Sequence, residues 1–113
     1  MEPVVDADSL WDQFDDDPQL LEQVVSVFRE DCPHRLEQAR QAIANQDPEM
    51  LTRAAHTVKG TTLTLAAGAA HRAARDLERL GKDGRFSEAV ETLAVLEAEL
   101  ARLFAALDLL QSR

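Results

Sequence analysis

Residues 93–110 read LAVLEAELARLFAALDLL. Leu93, Leu96, Leu100, Leu103, Leu107 and Leu110 recur at gaps of alternately three and four. A strand, with its period of two, would scatter these leucines over both faces, whereas a helix gathers them into one stripe. The spacing predicts a helix from about Phe86 to Leu110, nearly 40 Å long at ~1.5 Å per residue. An apolar seam of that length needs covering along all of it, and the partners that can do so are other long helices.

The rest of the chain supplies them. DDPQLLEQVVSVFREDCPHRLEQARQAIANQ, from residue 16, places Asp17 as a cap before Pro18 at the first helical position. Leu21, Val24, Val25, Phe28, Cys32, Leu36, Ala39 and Ile43 then keep helical phase. Pro33 interrupts the hydrogen-bond ladder and should bend this helix without shifting its stripe. DPEMLTRAAHTVKGTTLTLA repeats the Asp-Pro start at Asp47 and Pro48, with Leu51, Ala54, Ala55, Val58 and Leu65 inward. A further helix turns Ala70, Ala73, Ala74, Leu77 and Leu80 inward, and GKDG at 81–84 reads as a turn. DADSLWDQF predicts a short first helix over about 8–15, capped by Asp8 or Ser9, that lids one end through Leu10, Trp11 and Phe14. No segment alternates as a strand would, and there is no tyrosine. The expected architecture is all-α: an antiparallel four-helix bundle over about 18–110 with a short additional N-terminal helix, one domain over 1–113.

Composition narrows the function. No apolar run approaches the ~18 residues that span a membrane, so membrane insertion is not expected. The stretch EPVVDADS lacks the order of a signal peptide, and the lone Cys32 has no internal disulfide partner, which together favour a reducing cytoplasm. The net charge of −9 argues against nucleic acid or an anionic surface as partner. Its distribution says more. Residues 1–51 hold three basic and thirteen acidic residues, residues 86–113 two and five, and residues 52–85 seven and three. The middle of an acidic chain is locally basic and suits an acidic partner.

That middle contains RAAHTVKGTT, residues 53–62. At roughly 100° per residue, His56 lies about 150° from the centre of its helix's apolar stripe, and so faces out. Gly60 falls roughly 40° beyond it, and Leu63 and Ala67 come within about 20°, with Lys59 on the flank. Glycine inside a helix costs roughly 1 kcal/mol relative to alanine, and a compensating gain is clearance for a surface or a phosphoryl group descending onto the imidazole. Lys59 can then set an ammonium beside that phosphoryl group. An exposed histidine on a helix is most often only that. His34 and His71 also face outward by the same count, but neither is followed by lysine and glycine at the third and fourth positions.

The stretch AAHTVKGTT, preceded by DPEMLTR and followed by ARDLERL, resembles the histidine phosphotransfer domains of two-component phosphorelays. The likeness runs from LLEQVVSVF to the final helix. It implies a four-helix bundle in which His56 accepts and donates a phosphoryl group, Lys59 stabilises its charge and Gly60 gives access. It also implies partners: receiver domains of response regulators or of a hybrid sensor kinase, whose phospho-aspartate is donor and whose acidic site holds the divalent metal, magnesium by expectation. No cofactor is expected on this chain, nor an ATP site of its own. Thr52, Arg53, Leu63, Ala67 and Arg72 are the expected docking residues, with Arg75, Arg79, Lys82 and Arg85 widening the basic surface. The family commonly has glycine then alanine about ten residues after the histidine; here those positions are Ala66 and Ala67, with glycine displaced to Gly68.

An imidazole in water titrates at about 6.5, so an exposed one is largely neutral at pH 7 and attacks through a ring nitrogen without a base. Two other readings stand beside this. One is the phosphorylatable domain of a chemotaxis-type kinase, which commonly has a second histidine nineteen positions on, where this chain has Arg75; Glu78, twenty-two on, fits either family as a hydrogen-bond partner of His56. The other is a bundle that binds a partner through the same strip with no phosphotransfer. A metal site is disfavoured because Cys32 faces in and His34 out. With four glycines and no GxSxG, neither a phosphate loop nor a nucleophile elbow is present.

Overall fold

The computed structural model describes residues 2–112. Five helices follow one another: α1 (Ala7–Gln13), α2 (Pro18–Ala44), α3 (Pro48–Thr64), α4 (Gly68–Asp83) and α5 (Phe86–Gln111). There are no strands among the described residues. Each long helix packs on the next and α5 closes back on α2, with α3 and α4 the most closely joined pair. Short turns make neighbours antiparallel, so the predicted four-helix bundle with an extra N-terminal helix is what the chain forms. No described helix is long and apolar enough to cross a membrane.

The leucine seam of α5 is the spine of the core. Leu96, Leu100, Leu103 and Leu107 are fully buried, against Leu21 and Val25 of α2, Leu51 and Val58 of α3, and Leu77 of α4 in the same cluster. Leu110, near the end of α5, is only partly buried. Truncating one of the fully buried leucines to alanine removes about 2–5 kcal/mol. Cys32 belongs to this core, and burial, with Asp31 adding to it, pushes its thiol up to about 11.

Caps set the helix starts. Asp17 Oδ1 accepts from the amides of Gln19 and Leu20, and Asp47 Oδ1 from that of Met50 at 3.1 Å, each with proline next, as predicted. The first helix differs. Its cap is Asp6, which accepts from the Ser9 amide at 3.1 Å, not Asp8 or Ser9, and the helix ends at Gln13. The reason is tertiary: the Asp6 amide donates to the Ala66 carbonyl at 3.0 Å, which pins the chain to the α3–α4 turn before α1 begins. Leu10 and Phe14 are then buried over that end of the bundle, as a lid.

The helix ends share one device. After α3, the Ala67 amide reaches the Thr62 carbonyl and the Ala66 amide reaches that of Leu63, with Ala66 at φ 55°. This is the paired-bond ending that puts one residue in the left-handed region, where glycine is favoured. Ala66 takes that conformation itself, and Gly68, two residues on, opens α4. After α4 the same pair of bonds forms around Gly84 at φ 67°. The predicted turn over 81–84 is therefore shorter than its composition suggests. Gly81, Lys82 and Asp83 remain helical, and Gly81 is a packing residue.

Candidate functional site

His56, Lys59 and Gly60 sit in the middle of α3, on the side away from the core. The inward residues Ala54, Ala55 and Val58 hold that turn of helix against the bundle, so the outward set is carried on a rigid support. The neighbouring helix α4 brings Glu78 across. Its Oε2 lies 2.7 Å from Nδ1 of His56 and its Oε1 lies 2.6 Å from Nζ of Lys59. One carboxylate thus bridges two side chains a helical turn apart on α3.

Glu78 is buried, its side chain only 8 % exposed, whereas the His56 side chain is 67 % exposed. Burial pushes the Glu78 carboxyl up, but the hydrogen bonds from Lys59 and His56 and their charge outweigh this and hold it below the ordinary carboxylate value. An ionised carboxylate can only accept. Nδ1 of His56 therefore carries the proton in this bond, and the lone pair of the neutral ring is on Nε2. The arrangement fixes the tautomer, orients the ring and leaves Nε2 without that partner on an exposed side chain.

Gly60 is exposed, and a Cβ built there meets nothing within 4 Å. Among the described residues no contact asks for glycine at this position. The hydroxyl of Thr64 donates to the Gly60 carbonyl, and that of the buried Thr62 to the carbonyls of Val58 and Lys59, which ties this segment of α3 together.

The expected docking residues separate on inspection. Leu63 is 66 % exposed, one turn beyond Gly60, as the angular count predicts. Arg53 is exposed and lines a shallow cleft beside His56 with Arg35, Thr52 and Thr57. Thr52 is half-buried at the edge of that cleft, its hydroxyl donating to the Pro48 carbonyl. Arg72 is exposed but forms a two-pronged ion pair with Glu2. Ala67 does not belong to the strip: it is 1 % exposed. The helical count carried it past the end of α3, and the left-handed turn at Ala66 swings it inward. His71 also departs from the expected outward position. It is half-buried, and its Nδ1 donates to the Lys59 carbonyl at 3.1 Å, a strut between α4 and α3. His34 is exposed as predicted. Lys82 also approaches Glu78, Nζ to Oε2 4.0 Å, a pair whose only signal in the sequence is the four-residue spacing on one helix.

Among the described residues no cluster of histidine, cysteine, aspartate or glutamate is arranged to hold a metal ion. The outer face of α3 thus carries a histidine held by a carboxylate, a lysine one turn on and an open glycine. The comparison with protein families agrees: the Hpt domain model matches residues 23–106, and the chain belongs to the Hpt domain family. Hpt domains carry phosphoryl groups in two-component signalling. No curated protein and no solved structure matches the chain.

Proposed function

We propose that His56 is a phosphorelay intermediate, taking a phosphoryl group from the phospho-aspartate of one receiver domain and passing it to another. The observation that carries the proposal is the 2.7 Å bond between Nδ1 of His56 and the buried Glu78 carboxylate, with the remaining nitrogen on an exposed ring. In the forward step the Nε2 lone pair attacks phosphorus in line, an N–P bond forms, and the P–O bond to the aspartyl group breaks, its electron pair leaving with the carboxylate. The Nδ1 proton stays in the hydrogen bond to Glu78, whose charge offsets the positive charge the ring acquires. Lys59 supplies an ammonium to the phosphoryl oxygens. The return step is the reverse, with a receiver aspartate as nucleophile.

The chain then works as one phosphocarrier unit in the cytoplasm, and the receiver brings the magnesium. Gly60 supplies clearance, Leu63 an apolar contact, and Arg53 and Arg72 charge complementary to an acidic receiver. Incubation with an acetyl-phosphate-charged receiver and magnesium should place an acid-labile, base-stable phosphoryl group on this chain. His56→Gln should lose all of that label while keeping its helicity, since the side chain is largely exposed, and His34→Gln should keep it. Binding of receivers with no label on the wild-type chain would replace this reading with that of a docking module.

A further inference from the structure

Glu78 has a second lysine that the reaction as described leaves without a role. Lys82, one turn further along α4, places Nζ 4.0 Å from Glu78 Oε2 and is 64 % exposed, whereas Lys59 is 2.6 Å from Oε1 and 28 % exposed. Glutamate four residues before lysine is the favourable order for such a pair on a helix. Arg35, on the same cleft, is held by Asp31 at 3.0 Å and Gln38 at 3.3 Å. The cations that reach Glu78 among the described residues are thus Lys59, Lys82 and, when protonated, His56.

Resting on the phosphotransfer reading, a conflict follows from this geometry. Lys59 is committed to Glu78, yet the arriving phosphoryl group needs the same ammonium. If Lys59 withdraws before the N–P bond has made the ring positive, the buried carboxylate keeps only its bond to a neutral imidazole, which is costly. Protonating Glu78 instead would remove the acceptor that fixes the His56 tautomer. A replacement cation close to Glu78 resolves this, and Lys82 is close, exposed and flexible enough to move in.

We propose that Lys82 is a positioning residue for phosphotransfer: it takes over the charge of Glu78 as Lys59 turns from Glu78 to the phosphoryl group on His56. Lys82 touches neither phosphorus nor the reacting nitrogen, and its effect passes through Glu78. No bond is made or broken in the exchange, and the ion pair moves from one lysine to the other.

The test measures phosphoryl uptake by the full chain from a phosphorylated receiver with magnesium, separating kcat from KM, for wild type, Lys82→Gln, Lys82→Arg and Glu78→Gln and for Lys82→Gln combined with Glu78→Gln. Lys82→Gln should lower kcat by about threefold to fivefold, the range of a partly solvated ion pair, with little change in KM. It should also shift the equilibrium of the phosphoryl group away from His56. Lys82→Arg should restore both, and in the Glu78→Gln background the loss of Lys82 should have no further effect. A change confined to KM, or an equal loss with and without Glu78, would mean that Lys82 meets the receiver directly, and the proposal fails. Unchanged kinetics in Lys82→Gln, with wild type fully labelled, overturns the proposal alone. Absence of label on wild-type His56 overturns the phosphotransfer reading and this proposal with it.

Discussion

Gly60 on α3 and Gly81 on α4 are both glycines inside helices, and each should weaken its helix by a similar amount relative to alanine. Their surroundings are opposite. A Cβ on Gly81 would lie 2.9 Å from Thr52 Oγ1, 3.1 Å from Leu51 Cγ and 3.1 Å from the backbone nitrogen of Thr52. A Cβ on Gly60 would meet nothing within 4 Å. Gly81 is thus explained from inside the fold, because α3 and α4 approach too closely for a side chain. Gly60 has no such neighbour among the described residues, and the clearance proposed for it concerns what comes from outside. The close approach at Gly81 in turn serves the site, since it brings α4 near enough for Glu78 to reach both His56 and Lys59.

The largest effect expected from this contrast is at the interface. Gly81→Ala should destabilise the chain by about 1–3 kcal/mol, because the contact includes backbone that cannot swing aside. Thermal or urea unfolding measures this, and a neutral result would show that α3 and α4 have slack. Gly60→Ala should act in the opposite direction, raising stability by about 0.5–1 kcal/mol through helix propensity alone. Gly60→Leu sharpens the comparison: the fold should remain intact while phosphoryl uptake from a receiver falls at least about tenfold, the rise in barrier for a blocked approach being of order 1.4 kcal/mol or more. If Gly60→Leu transfers normally, the clearance argument is lost.

The smallest effect concerns an alanine standing where glycine belongs. Ala66 holds φ 55° after α3, and left-handed backbone costs an L-residue roughly 1 kcal/mol. Ala66→Gly should therefore gain about 0.5 kcal/mol, the remainder being offset by the greater freedom of glycine in the unfolded chain. A chemical denaturation midpoint resolves a change of that size. Phosphotransfer should be unaffected, because the turn is separated from His56 by more than two helical turns of α3.

Periodicity carried most of the fold. The leucine ladder of α5, the Asp-Pro starts of α2 and α3 and the stripe of α4 are local patterns, and a helix converts local spacing into a buried face without reference to the rest of the chain. The candidate site was legible for the same reason: His56, Lys59 and Gly60 lie on one helix, so their relation is geometry within four residues. Misreadings came where the chain left that regime. The helical count puts Ala67 on the outer strip although α3 has ended before it, GKDG has the composition of a turn although Gly81 and Lys82 are helical, and the same count turns His71 outward although it braces α3.

From the sequence alone came the number and order of the helices, the apolar face of each and the outward placement of His56, because side-chain partition between core and water follows from period and polarity. Tertiary structure decided what His56 can do. The carboxylate that sets its tautomer is twenty-two residues away on another helix. Only the packing of α4 against α3, at the distance Gly81 allows, shows that Glu78 is buried, ionised and shared between an imidazole and two lysines.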